Sequence, residues 1–287
     1  MRKAVRLAHE ARTRFLRETP SNAGRNIKIV LSLGSFGATL NPTQEFDGFY
    51  PPPYGPKAYD PSQPKHVQPT SFISIEEDLR AVKALTQFHV ERLRIFAGDD
   101  ETWSLIDGIA FETIPLRREI RSVRRAVRLL HQNELRVRKA WWVSTLFPDG
   151  TSPDKRVKGE HVTVADIVQA MMDGDEPKPD AVGINCTSAA YLTSLLKDMT
   201  QEIQNRSSVP RPSLVIYPNG GDEWNPKTKS WQAIAEGDAK AQLWASQLES
   251  ILFEMQRAEV WPEIAIGGCC RTGPAEIAAF VARLKQV

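Results

Sequence analysis

The chain has 287 residues, 41% of them hydrophobic and 25% charged, ordinary values for a globular protein of one large domain or two small ones. A net charge of +2 with no long basic block excludes a dedicated nucleic-acid binder. No apolar run approaches the roughly 18 residues that span a bilayer, and three cysteines make a poor disulfide framework, so a reducing, cytoplasmic setting is expected.

Residues 1–18 (MRKAVRLAHEARTRFLRE) are basic and amphipathic. Glu10 and Glu18 count against a transit peptide, so a surface helix is expected, with Val5, Leu7, Ala8, Ala11, Phe15 and Leu16 turned inward. Residues 27–33 (IKIVLSL) read as a buried strand ending at Gly34. A long segment, 34–70, follows. Its 41–70 portion is rich in proline and aromatics (FDGFYPPPYG) and reads as a lid or binding loop rather than a disordered stretch.

Ser74-Ile75-Glu76-Glu77 has capping-box form and opens a helix to about Phe96. Strands are expected at 105–112, 139–146, 180–185, 213–217 and 263–268. Helices are expected at 115–132, 163–172, 188–205, 238–255 and 274–284, the last with proline in its first turn. A repeated βα pattern with apolar strands implies a parallel sheet with helices outside it. An open doubly wound sheet and a closed barrel both fit, and both place their sites at the C-terminal ends of strands. Neither a GxGxxG nor a GxxxxGK[ST] phosphate cradle is present.

The cysteines follow two of these strands. Cys186 closes Gly183-Ile184-Asn185-Cys186, while Cys269 and Cys270 sit in Gly267-Gly268-Cys269-Cys270-Arg271-Thr272. Free cysteine often merely packs. An adjacent pair at a strand end suits an open zinc site with three protein ligands and one vacant position. A vicinal disulfide between Cys269 and Cys270 is the other sharp alternative. The five histidines (His9, His66, His89, His131, His161) fall in no ligand spacing and are assigned no role.

Gly-Ile-Asn-Cys followed by Gly-Gly-Cys-Cys-Arg-Thr resembles the zinc-dependent homocysteine S-methyltransferase family. Three further segments are similar in order: Gly34-Ser35-Phe36-Gly37-Ala38, Phe111-Glu112-Thr113-Ile114-Pro115 and Tyr217-Pro218-Asn219-Gly220. The aromatic–proline loop is similar to that of fungal members. The resemblance implies a (β/α)8 TIM barrel and a Zn2+ cofactor held by Cys186, Cys269 and Cys270, with the homocysteine sulfur as fourth ligand. It implies methyl transfer from S-methylmethionine or S-adenosylmethionine to that thiolate, giving methionine, with no general acid because a sulfonium leaves as a neutral thioether.

By the same analogy Glu112 grips the homocysteine ammonium, with pairing to a surface arginine such as Arg117 as its bland alternative. Asn185 orients the site through its amide or caps the strand end. Tyr217 and Asn219 line the pocket or simply form a turn. Phe36, Phe49 and Tyr50 face the sulfonium or only pack their loop, and Arg271 pins the metal loop or lies exposed. The expected partners are homocysteine and the methyl donor, with no nucleic acid and no membrane; a homo-oligomer is left open.

Only six strands are readable, where the family has eight. The first family strand and helix, with their Asp-Gly-Gly segment, and the second strand have no counterpart. The chain therefore reads as one homocysteine-binding domain over 1–287, N-terminally truncated relative to the family. A fragment of a longer product, a catalytically impaired zinc-binding paralogue, and completion by another chain all fit that count.

Overall fold

The computed structural model describes residues 1–19, 24–133, 138–206, 210–225, 230–232 and 237–285. Six parallel strands form one sheet in the order β1 (Val30–Gly34), β2 (Gly108–Glu112), β3 (Ala140–Thr145), β4 (Ala181–Asn185), β5 (Ser213–Tyr217) and β8 (Ile264–Ile266). Between β5 and β8 lies a small antiparallel pair, β6 (Glu223–Asn225) and β7 (Ser230–Gln232). The helices are α1 (Arg2–Glu18), α2 (Ile75–Ala97), α3 (Asp100–Leu105), α4 (Arg117–Asn133), α5 (Val164–Met172), α6 (Ala189–Gln204), α7 (Gly237–Arg257) and α8 (Pro274–Leu284). From α4 onward each helix packs against the next, and α2 packs on α4, so the helices form one continuous layer along the sheet.

The strands were expected to be uniformly apolar, but their two faces differ. The register aligns Leu33, Phe111 and Val143 on one face, and Val182, Leu214 and Ile264 continue it. The first five belong to the main hydrophobic core, which lies under the helices, and the partly buried Ile264 packs against it. Each such side chain contributes about 1.5–3 kcal/mol on burial. The other face carries mostly small or polar residues, with Trp142 the exception: Ser32 beside Ala110 and then Trp142, and Ser144 beside Gly183. The aliphatic and aromatic side chains of this register therefore face the helices, while the inner face carries polar groups such as Ser32, Ser144 and the Trp142 indole.

The sheet does not close: β1 and β8 are its two edges and do not pair with each other among the described residues. The fold is thus the β/α arrangement of the TIM-barrel type, with six parallel strands in an open sheet.

Several element boundaries shift from those expected. Leu105 ends a short helix, α3, rather than starting a strand, because Asp99 caps that helix by accepting the Thr102 N–H at 2.8 Å. The expected start at Pro115 moves to Arg117, whose N–H is taken by Asp154 Oδ2 at 3.1 Å. Helix α1 forms as expected, but only its Val5 is buried; Leu7 and Phe15 are exposed. Charge pairs hold it in place instead, with Arg12 on Asp107 at 2.8 Å and Arg2 on Asp99 at 3.2 Å. No helix among the described residues is long and apolar enough to cross a membrane.

Candidate metal and substrate site

The sequence turns sharply at three of the strand ends that build the site. Thr113, Cys186 and Arg271 have φ of 57°, 47° and 64°, the left-handed region that side chains rarely adopt. Each is held by specific bonds. Asn185 Oδ1 accepts the Thr113 N–H at 3.0 Å, and Asn185 Nδ2 donates to Thr113 Oγ1 at 2.7 Å. The Cys186 N–H reaches Tyr217 O at 3.2 Å. Arg271 Nε donates to the buried Asp222 at 2.7 Å, and Lys240 pairs with the same carboxylate at 2.9 Å. Arg271 therefore pins its loop.

The two cysteine segments are stitched together through the turn at 218–220. Cys269 N–H donates to Pro218 O at 2.7 Å, and Gly220 N–H donates to Cys270 O at 2.8 Å. The ligand atoms of Cys186, Cys269 and Cys270 all lie within 4.8 Å of one another. Cys186 and Cys269, with Cα atoms 5.4 Å apart, stand in disulfide contact, and Cys270 is free. The expected alternative, a Cys269–Cys270 bridge between neighbours, is not formed.

The cluster fits a tetrahedral thiolate centre. Zinc–sulfur bonds of about 2.3 Å set sulfur atoms about 3.8 Å apart, and Cys270 Sγ lies 3.9 Å from Cys186 Sγ. Metal binding requires the Cys186 and Cys269 thiols reduced, since a bridged sulfur is no thiolate ligand. Burial pushes the Cys270 thiol up, and the charge of Glu45 adds to that shift.

Glu112 ends β2 on the inner face, half-buried, where its charge acts on the Tyr217 hydroxyl. Ser32 Oγ donates to it in a short hydrogen bond. No cation pairs with it among the described residues, and its expected competitor is elsewhere: Arg117 is spent on Asp154 at 2.9 Å. Tyr217 reaches across the sheet to the same region. Its hydroxyl bonds Ser144 and accepts from Trp142 Nε1 at 3.2 Å, two residues on a strand that is not its neighbour. Gly183 lies between them, and a Cβ there would fall 1.8 Å from Val215 O. Burial, then the charge of Glu112, holds the Tyr217 hydroxyl well above its ordinary value, so it stays a protonated donor.

Asn185 is 1% exposed and its amide is engaged by Thr113, so it acts on the strand end. Asn219 donates its N–H to Thr187 O and accepts from Trp244 Nε1, both at 3.0 Å, while its Oδ1 is buried without a partner.

The aromatic residues of the long loop do not face the site. Phe36 stacks on Tyr54 at 4.0 Å and meets Tyr50 edge-on at 5.1 Å, while Phe49 stacks on Tyr59 at 5.8 Å. Phe36, Phe49 and Tyr50 are 7%, 3% and 0% exposed, so they pack the loop down. His89 gains a role that sequence reading did not give it. Its Nε2 lies 3.0 Å from Glu119, a buried carboxylate that also takes the Tyr50 O–H and the Phe36 N–H at 2.6 Å each.

Sequence reading also missed Ser32, Trp142, Ser144, Asp222 and Glu45. The two serines carried a usable signal, since each is a polar residue at an alternate position near the end of an apolar strand. Nothing in the sequence places Glu45 or Asp222.

A parallel β/α sheet with a three-thiol cluster and a carboxylate at the C-terminal ends of its strands defines the class: a β/α enzyme whose polar site residues gather at the strand ends. The sequence profile of the homocysteine S-methyltransferase family matches residues 1–284. The chain belongs to that family and is a methyltransferase acting on homocysteine.

Among curated relatives, homocysteine S-methyltransferase 1 of Brassica oleracea var. italica is 26% identical over 292 residues, covering 100% of this chain and 71% of its own length. Homocysteine S-methyltransferase YbgG of Bacillus subtilis is 29% identical over 293 residues, covering 98% of this chain and 70% of its own. The metallated crystal structure of the Escherichia coli homocysteine methyltransferase MmuM superposes with a TM-score of 0.59 at 27% identity, covering 98% of this chain and 69% of that one. Its oxidized form matches equally well.

Proposed function

We propose that this chain transfers a methyl group from a sulfonium donor, S-methylmethionine or S-adenosylmethionine, to homocysteine held at a zinc ion, forming methionine in the cytoplasm. The observation that carries this is the convergence of the Cys186, Cys269 and Cys270 ligand atoms within 4.8 Å of one another. Bound zinc supplies the charge that strips the proton from a coordinated thiol near neutral pH. The three cysteines would be its protein ligands, leaving one position for substrate.

The residues around that position divide the remaining work. Glu112, with Ser32 on one oxygen, offers its carboxylate to the homocysteine ammonium. Tyr217 stays protonated and lines the inner face, donating rather than accepting a proton at neutral pH. Asn219, in the turn at 218–220 that joins the cysteine segments, carries a buried Oδ1 with no partner among the described residues. Asn185 fixes the Thr113 turn and thereby the aim of Glu112. In the transfer, the sulfur–methyl bond of the donor breaks as the methyl bonds to homocysteine sulfur. The donor departs as a neutral thioether with its electron pair, so no residue need act as an acid.

A second reading rests on the open sheet. With β1 and β8 not paired to each other among the described residues, and about 70% of each relative's length matched, the chain also fits a domain that binds zinc but turns over poorly. One assay separates the two. Zinc-loaded protein with homocysteine and each sulfonium is tested for methionine, alongside Glu112→Gln. The proposed function predicts turnover with one donor and a KM for homocysteine raised at least tenfold in Glu112→Gln. Stoichiometric zinc with no methionine from either donor favours the second reading.

A further inference from the structure

One charged group near the site has no partner. Glu45 lies in the long loop after β1, is half-buried, and makes no hydrogen bond or ion pair among the described residues. Its backbone is fixed against the turn that ends β1. Gln44 N–H donates to Gly37 O at 2.9 Å, and a Cβ on Gly37 would fall 2.7 Å from Glu45 N. Only glycine allows that approach.

The loop is tied down on both sides of Glu45. Upstream, Phe36 N–H ends on Glu119; downstream, Tyr50 O–H ends on the same carboxylate, each at 2.6 Å. Lys65 holds Asp47 at 2.7 Å on the outside. Gly34, where β1 ends, is in register with Glu112. The fold thus sets the Glu45 backbone just beyond the C-terminal end of β1, the strand paired with the one that ends in Glu112.

The electrostatics agree with that placement. Burial raises the Glu45 carboxyl, and the charge of Glu112 raises it further. Two carboxylates that share a rim with no cation repel each other. A cationic occupant relieves that repulsion, and the proposed reaction brings two cations to the rim, an ammonium and a sulfonium. Glu112 is the group assigned to the ammonium.

We propose that Glu45 is the donor-facing carboxylate of this site, selecting a methyl sulfonium over its neutral thioether. The inference deepens the proposed function and rests on it. Because the donor's positive charge disappears as the methyl leaves, Glu45 attracts the donor more strongly than the transition state or the product. It therefore acts on donor binding and product release rather than on the chemical step.

The test uses the full zinc-loaded chain and two probes that differ by one methyl and one charge, S-methylmethionine and methionine. Their affinities are measured by calorimetry for wild type, Glu45→Gln and Glu45→Asp, with zinc content as a control. Wild type is expected to prefer the sulfonium. Glu45→Gln should weaken S-methylmethionine about tenfold, or about 1.4 kcal/mol, while methionine affinity and zinc content stay unchanged. Glu45→Asp should keep most of the preference. In turnover, Glu45→Gln should raise the donor KM more than it lowers kcat.

A Glu45→Gln chain with the wild-type ratio of the two affinities overturns the inference, as does a wild type that binds both probes equally. Failure of the proposed function looks different: no methionine forms, while the charge preference and its loss in Glu45→Gln persist in the calorimeter.

Discussion

Asn185 clamps Thr113 with both ends of its amide, accepting the Thr113 N–H at 3.0 Å and donating to Thr113 Oγ1 at 2.7 Å. The two residues sit on the ends of β4 and β2, and each is followed or occupied by a left-handed turn, at Cys186 and Thr113. One side chain therefore couples the first cysteine to Glu112, which immediately precedes Thr113. Asn185→Ala leaves a buried N–H unpaired, at a cost of about 1–3 kcal/mol. It should lower the melting temperature and raise the KM for homocysteine. Normal substrate affinity in a destabilised Asn185→Ala chain would confine Asn185 to a structural role.

The Glu119 hub predicts a larger loss. Its carboxylate serves His89, Tyr50 and the Phe36 N–H, all inside the protein. Glu119→Ala strands three polar groups and should destabilise the chain by about 3 kcal/mol or more. Urea unfolding measures it, and a loss below about 1 kcal/mol contradicts the hub.

Alkaline stability follows from the same contact. Burial, then the charge of Glu119, holds the Tyr50 hydroxyl well above its ordinary value. Above about pH 10 the unfolded chain gives up that proton while the folded chain keeps it. The unfolded state then binds fewer protons, so stability falls as pH rises. Tyr50→Phe should be less stable at neutral pH yet show a flatter decline from pH 10 upward. Parallel curves for the two chains would contradict this.

Asp222 governs the acid side. Burial raises its carboxyl, but hydrogen bonds from Arg271 and Lys240 outweigh that and leave it below the usual carboxylate range. Its contribution is present above the unfolded value of about 3.9 and is lost as pH falls through the lower folded value. Asp222→Asn should be destabilised by about 2 kcal/mol at neutral pH and should lose less than wild type on acidification below about pH 4. Thermal melts across that range measure both.

How much of this was legible in the sequence depends on which contacts are local. The βα alternation and the six strands follow from short apolar runs and caps, and they reappear with shifts of a few residues. The two cysteine motifs are local and lie at strand ends, where they were expected. Tyr217 on Ser144 is a contact between residues 73 apart in sequence, set by the register of the sheet, and no spacing rule reports it. Helix α1 shows the opposite error: its apolar stripe suggested burial, whereas charge pairs to Asp99 and Asp107 hold it. The loop aromatics were legible as residues but not as partners, since each other's rings are what they meet.

The metal content of the reduced protein tests the central claim most directly. Purified with reductant and zinc, the wild-type chain should carry about one zinc per chain, because three thiolates make one tetrahedral centre. Cys186→Ser, Cys269→Ser and Cys270→Ser should each lose the metal while keeping the far-ultraviolet circular dichroism of the fold. A reduced, folded wild-type chain without zinc, or a serine variant that retains it fully, contradicts the three-cysteine centre.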